Sequence, residues 1–365
     1  MLALPVLIIG IAGFMFWRNS KNRIVWTNIA KNLQFHQKDP TKLEMSGIYN
    51  NCPVKVAVGA RRSGDSTKFF TYCETEFPQN LRLLLDIKFP RSILSKVFES
   101  NEMTIGISNF DEKFKVNCYD ANVLRQFLAA DFPSPQTRNL LEDLLLIQQY
   151  FEIIEINDKK VYIEVSGQIG DEVKIKQLLD GVTHLANRFS SARERFPRSD
   201  WEKLLLQNWQ NFALQNALLF DAKILQIQGN FKNFPIIIRL ETDKNIWQTE
   251  IKLNFPQSLM LGLKIMPENS VHKALTWLGV QDIESGIKEF DDKFIVKGQN
   301  LQEVKHKLKP EICLHLVEIK KLCSDFLIDD NEIFVTFDKM LGDEKMLKSY
   351  LEAITATAKR FSAQS

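Results

Sequence analysis

GDEVKIKQLLDGVTHLANRFS occupies residues 170–190, and GDEKMLKSYLEAITATAKRFS occupies 342–362. The two stretches are identical at ten of twenty-one positions, more than unrelated segments share by chance. Each is one apolar stripe at helical spacing. The first uses Ile175, Leu178, Leu179, Val182, Leu185, Ala186 and Phe189; the second uses Leu347, Tyr350, Leu351, Ile354, Ala358 and Phe361. Asp171 and Asp343 stand where a helix needs an N-cap, because a carboxylate there accepts from the exposed first-turn amides. A fold that ends twice on the same helix is a fold made twice.

Working outward, the matches continue in order. NFDEKFKV (109–116) lies on EFDDKFIV (289–296). Phe77-Pro78-Gln79 with Leu81 lies on Phe255-Pro256-Gln257 with Leu259, and Gly47, Asn51 and Pro53 lie on Gly229, Asn233 and Pro235. Length changes fall between these motifs, where loops absorb them. Before each closing helix, β-rich runs flank a polar turn, Asn157-Asp158 in one case and Asp329-Asp330-Asn331 in the other, which is a hairpin signal. ANVLRQFL (121–128) follows Asp120 and LQEVKHKL (301–308) follows Asn300, both suited to cap a helix. A further helix is expected near 137–149 and near 311–323. Strands are expected at 43–49, 53–60, 68–77, 81–88 and along the FDxKFxV motif. Strands early and helices late predict an α+β fold with an antiparallel sheet.

The predicted organisation is an N-terminal transmembrane anchor at 1–17, a first α+β repeat at 26–191, a linker helix at 192–208 and a second repeat at 209–363. Trp26 and Trp209 open the helices that begin the repeats, Pro197 ends the first closing helix, and Ser199 or Asp200 caps the next. MLALPVLIIGIAGFMFW (1–17) carries no charge and is followed by Arg18, Lys21 and Arg23. As a helix it would span about 26 Å, within the range for a membrane crossing. A cleaved signal would carry its positive charge ahead of the apolar run and a small-residue site behind it. The basic flank predicts a single pass through a bacterial inner membrane with both repeats facing the cytoplasm.

Composition is ordinary for a globular chain of 365 residues, with 45% hydrophobic and 25% charged residues. The net charge of +2, from 47 basic and 45 acidic residues, gives no reason to expect nucleic-acid binding. The five cysteines (Cys52, Cys73, Cys118, Cys313 and Cys323) are odd in number and unmatched between the repeats, so free thiols in a reducing compartment are expected.

Chemistry needed by both repeats would leave matched reactive residues. None of the five histidines, His36, His184, His272, His306 and His315, has a histidine opposite it; His184 faces Ala356. No phosphate loop, nucleophile elbow or zinc-protease string occurs, so no catalytic residue, metal or cofactor is expected. The matched polar residues Asp111/Asp291 and Lys113/Lys293 are candidate recognition residues, against the plainer reading of a turn carboxylate holding local amides. Arg61 and Arg62, in GARRSGDSTK, are a further candidate as a basic loop able to meet lipid headgroups. The order of anchor, Trp, G…P, FDxxF and closing GDE helix resembles uncharacterised tandem-domain proteins of bacterial membranes, a resemblance that implies two domains and no activity. The expected function is a membrane-anchored, non-catalytic binding or scaffold protein whose repeats engage a protein or ligand partner. The alternative is an enzyme with one active and one degenerate copy.

Overall fold

Asp171 accepts a hydrogen bond from the Val173 amide at 2.8 Å, and Asp343 accepts one from the Met346 amide at 2.8 Å. Asp120 and Asn300 cap their helices in the same way, and Ser199 accepts from the Glu202 amide. These caps fix the helix starts where the sequence places them. The computed structural model describes residues 22–39, 42–63, 66–90, 103–130, 138–243, 246–268 and 283–362. The apolar segment 1–17 lies outside them; among the described residues no helix is long and apolar enough to cross a membrane.

The chain divides into two compact units, Met1–Phe196 and Pro197–Ser365. The first runs α1 (22–32), β1 (Glu44–Tyr49), β2 (Cys52–Ser63), β3 (Ser66–Glu76), β4 (Asp86–Phe89), α2 (Ser108–Asp111) and β5 (Lys115–Asn117). It continues α3 (Ala121–Ala129), α4 (Leu140–Ile147), β6 (Ile153–Asn157), β7 (Lys160–Ser166) and α5 (Glu172–Arg195). The second runs α6 (Asp200–Gln215), β8 (Leu219–Asp221), β9 (Gln226–Phe231), β10 (Phe234–Asp243), β11 (Ile246–Asn254) and β12 (Lys264–Pro267). It closes with α7 (Lys288–Asp291), β13 (Phe294–Lys297), α8 (Leu301–Lys307), α9 (Pro310–Leu322), β14 (Asp325–Asp329), β15 (Glu332–Phe337) and α10 (Glu344–Ser362).

The fold is mixed α+β with two antiparallel sheets. The first has seven strands in the order β1-β2-β3-β7-β6-β4-β5, and the second has eight, β8-β9-β10-β11-β15-β14-β12-β13 from its other edge. Strand for strand the orders coincide, with β8 added at one edge. Its place in the first unit is held by a single bridge, His36 with Ser46. Each sheet is apolar on the face that its closing helix covers. Val56, Cys73, Ile163, Leu179, Val182 and Phe189 meet in the first core; Ile238, Ile251, Val335, Leu351, Ile354 and Phe361 meet in the second.

Matched sequence motifs make matched contacts. The Trp26 indole N–H donates to the Ile169 carbonyl at 2.7 Å, and that of Trp209 donates to the Leu341 carbonyl at 2.8 Å. Buried Thr71 donates to the Gly167 carbonyl at 2.8 Å and accepts from the Ile169 amide at 2.9 Å. Thr249 does the same with Lys339 and Leu341, both at 2.9 Å. Thr71→Val or Thr249→Val therefore orphans a backbone amide. Each substitution is expected to lower the stability of its own unit by about 1–3 kcal/mol, read by urea unfolding with hydrogen exchange resolved to each unit.

Several sequence expectations about the elements change. Residues 81–88 are not one strand: only Asp86–Phe89 pairs, and the stretch before it wraps around the β6–β7 turn. Leu81 donates to the Asp158 carbonyl, and Leu83, Leu84 and Leu85 donate to the Asp158 carboxylate at 2.9, 2.8 and 3.2 Å. Positive φ at Arg82 and Leu84 curls the chain for this. The second unit repeats the arrangement, with Leu261, Gly262 and Leu263 on Asp330 at 3.1, 2.7 and 2.9 Å. Next, the FDxKFxV motif is a helical turn before a strand, because Phe110 and Phe114 stack with ring centroids 4.6 Å apart, as Phe290 and Phe294 do at 4.8 Å. Finally, the linker helix is not separate: α6 is continuous through Trp209, and α1 begins before Trp26, so both tryptophans sit within their helices rather than opening them.

Candidate functional site

In the first unit, α4 and the turn after it, the end of β7 and one flank of α5 enclose a cleft of about 680 Å³, within the size range of small-molecule sites. Its apolar walls come from Leu146, Ile147, Phe151, Val165, Ile169 and Leu178, with Tyr150 at the lip. Asp143, Lys174, Asp180 and His184 supply the polar groups. Gly181 lets α5 approach the wall: a β-carbon there would stand 2.7 Å from the Phe151 ring.

One end of the cleft is a charged cluster. Buried Asp143 accepts from Arg188 Nε at 2.7 Å and lies 3.5 Å from His184 Nε2. The Arg188 guanidinium also donates to the Arg138 carbonyl. Burial pushes the Asp143 carboxyl up, but hydrogen bonds and charge from His184 and Arg188 outweigh it and hold the group below its ordinary value. An acid with a depressed folded pKa contributes stability that is fully present above its unfolded value and lost as pH falls through the folded one. The first unit is therefore expected to lose stability below about pH 4 by a component absent from Asp143→Asn, measured by chemical unfolding from pH 3 to 6, a range of about three units. At the opposite wall Asp180 accepts from the Tyr49 hydroxyl at 3.0 Å, and Ser166 donates to Glu152.

At the aligned positions the second unit carries three bulkier side chains. Aligning the closing segments sets Phe337 opposite Val165, Lys339 opposite Gly167 and Tyr350 opposite Leu178. The Phe337 and Tyr350 rings lie 4.6 Å apart at 32°, and Lys339 Nζ donates to the Tyr350 hydroxyl at 3.2 Å. One exchange runs the other way, since Phe151 stands where the second unit has Cys323, and Gly181 replaces Ala353 to receive its ring. The charged cluster differs too. His315 takes the place of Asp143 and Ala356 that of His184, leaving Arg360 the shared member. His315 faces the Ala353 carbonyl at 3.3 Å and is held below its ordinary value by burial, with the Arg360 charge acting in the same direction.

The sequence-derived candidates lie elsewhere and do not converge. Asp111 accepts from the Ile105 and Ile107 amides at 3.0 and 2.9 Å, and Asp291 from the Ser285 and Gly286 amides at 2.9 and 3.0 Å. Both hold the turn before their Phe pair. Lys113 is half-buried beside it, and Lys293 pairs with Glu289 at 3.0 Å. Arg61 and Arg62 are not a loop: β2 continues through them, opposite Lys68 and Thr67. The Arg61 guanidinium lies 4.1 Å from the Phe70 ring centroid and pairs with buried Glu164, which also accepts from the Tyr162 hydroxyl at 2.6 Å. Arg62 is exposed. Four strands separate β2 from β5, which follows Asp111 and Lys113. Among the described residues no group of three or more His, Cys, Asp or Glu side chains could hold a metal ion. All five cysteines are free thiols.

Neither a protein-family model nor a curated protein matches the chain. Among solved structures it is similar to the crystal structure of the mycobacterial trehalose monomycolate transport factor A, TtfA. The identity is 10%, over 43% of this chain and 92% of that one, at a TM-score of 0.29. A likeness that distant carries no argument.

Proposed function

We propose that the chain is a membrane-anchored, non-catalytic binding protein made of two copies of one α+β module, of which the first is the receptor and the second its structural partner. The anchor is residues 1–17, and the modules face the cytoplasm of a bacterium. The observation that carries the receptor reading is the cleft beside α5; at the aligned positions the second unit packs the Phe337 and Tyr350 rings together. Duplication supports the rest: two modules with one strand order and matched Trp, Thr and Asp contacts.

The test is recovery of what the protein holds. The full chain is captured from native membranes beside Val165→Phe/Leu178→Tyr, and co-purifying small molecules and cross-linked proteins are identified by mass spectrometry. A small molecule present with the wild type and lost from the double variant is the expected result. A protein partner retained equally by both, with no small molecule, would replace the receptor reading with a scaffold. Asp111→Asn and Asp291→Asn should leave capture unchanged, since those carboxylates order turns. Reporter fusions at the C-terminus test orientation, and activity of a periplasm-only reporter would reverse it.

The second reading, an enzyme with one active and one degenerate copy, is favoured by the Asp143–His184 pair, which the second unit lacks. It predicts that a molecule recovered from wild-type protein is chemically altered, and that His184→Gln traps it unchanged.

A further inference from the structure

The two modules differ at the cleft in a coordinated way, and that difference specifies what the cleft takes. At three positions the first module has the smaller residue: Val165 for Phe337, Gly167 for Lys339 and Leu178 for Tyr350. The larger set forms one local assembly, with the rings 4.6 Å apart and the lysine on the phenol hydroxyl at 3.2 Å, its Nζ 5.4 Å from the Tyr350 ring centroid. The scaffold beneath shares its threonine contacts, with Phe151 for Cys323 and Gly181 for Ala353 as exchanges within it. Leu179 and Leu351 accept from Thr183 and Thr355 at 2.7 Å in both modules, and the threonine contacts to the segment after β7 and β15 coincide. Aligned positions therefore hold the Phe337 and Tyr350 rings in one module, and in the other a cleft with Val165 and Leu178 on one side and the Phe151 ring, in place of Cys323, on another.

Loss of a packed aromatic pair from a core exposes apolar surface and is costly unless something refills it. We infer that the cleft of the first module binds a small, uncharged aromatic molecule bearing a hydroxyl-like substituent, seated between Val165 and Leu178 in the space that Phe337 and Tyr350 occupy in the second module. This rests on the receptor reading and adds the ligand's class. Aromatic rings prefer offset or tilted partners, and Tyr150 and Phe151 on the adjacent wall offer them. Asp143 is paired with Arg188 at 2.7 Å, and the lining sets Lys174 against Asp180, which favours a neutral ligand. A hydroxyl has partners on the polar flank, as the Tyr350 hydroxyl has Lys339.

The experiment titrates the full chain in lipid nanodiscs, with empty discs as blank, using 2-naphthol and 1-decanol as probes of equal carbon count. By calorimetry 2-naphthol should bind at one site per chain, at least about tenfold more tightly than 1-decanol. Val165→Phe/Leu178→Tyr should weaken it by at least about tenfold while circular dichroism stays unchanged. In the reverse direction, Phe337→Val/Lys339→Gly/Tyr350→Leu should add a second site. If that variant does not fold, the filled-cleft variant decides alone. Equal or tighter binding of 1-decanol would overturn the aromatic class and leave the receptor reading standing. Undiminished 2-naphthol binding by the folded filled-cleft variant would overturn the site. Absence of binding by either probe would overturn the inference, and the native-membrane capture would then judge the receptor reading separately.

Discussion

Replacing Asp158 with alanine is expected to destabilise the first unit by about 4 kcal/mol, a large fraction of a typical domain's net stability. The side chain is 2% exposed and accepts three consecutive backbone amides, those of Leu83, Leu84 and Leu85. The Asn157 side chain in the same turn already accepts from the Lys159 and Lys160 amides, and a buried amide without an acceptor costs about 1–3 kcal/mol. The curled segment 77–85 should then detach from the turn, with hydrogen exchange at those amides rising while the second unit's pattern stays the same. Asp330→Ala should cost less, because Asp330 is only half-buried where Asp158 is buried. Equal unfolding curves for wild type and Asp158→Ala would refute the role.

The same carboxylate sets a second pH limb. Burial pushes Asp158 up to about 6, against the pull of the three amides and the nearby Arg193 charge. An acid whose folded pKa lies above its unfolded value takes up a proton more readily when folded. The first unit therefore gains stability as pH falls from about 6 toward about 4. Asp143 acts in the opposite sense at lower pH. Together they give a stability maximum in weakly acid solution, and Asp158→Asn should flatten its neutral side.

Trp209→Ala is the second large effect, about 4 kcal/mol, as for other buried large aromatic truncations, and it should fall on the second unit. Trp209 is 1% exposed, packs beside Phe220 and donates to the Leu341 carbonyl just before the closing helix. Its loss leaves both a cavity and an unpaired carbonyl. Trp209→Phe keeps most of the packing and should cost roughly 1–2 kcal/mol. Trp26→Ala should mirror the larger value in the first unit, where the acceptor is Ile169. Urea melts with domain-resolved hydrogen exchange separate the two, and a Trp26→Ala effect confined to α1 would contradict the equivalence.

The parts of the fold written in short-range signals were legible in the sequence. Caps at Asp120, Asn300, Asp171 and Asp343, the two hairpin turns and the closing helices follow from residues a few positions apart. Segment 77–85 was not legible, because Leu81, Leu83 and Leu85 alternate as a strand would while the chain curls through Arg82 and Leu84. Alternation records burial, and here a loop is buried by what it wraps. Asp158 read as a turn residue for a related reason: its amide partners lie more than seventy positions away. Phe110 and Phe114 carried a usable signal, since a four-residue spacing suits a helical turn better than a strand. The substitutions Phe337 to Val165 and Tyr350 to Leu178 were in view in the aligned helices. Only the fold reveals that β15 and α10 bring those two rings together.

In both sheets the central ladder joins an early strand to the last one: Thr71 pairs with Val165, and Thr249 with Phe337. A ribosome making this chain must release nearly a whole module before its middle rung can form, which makes contact order high and folding slow. Until then β2 and β3 wait as an uncompleted hairpin with one ladder edge unpaired. Polypeptides stopped anywhere inside a module are thus expected to be prone to clumping, whereas a stop near Pro197 would leave the first sheet entire.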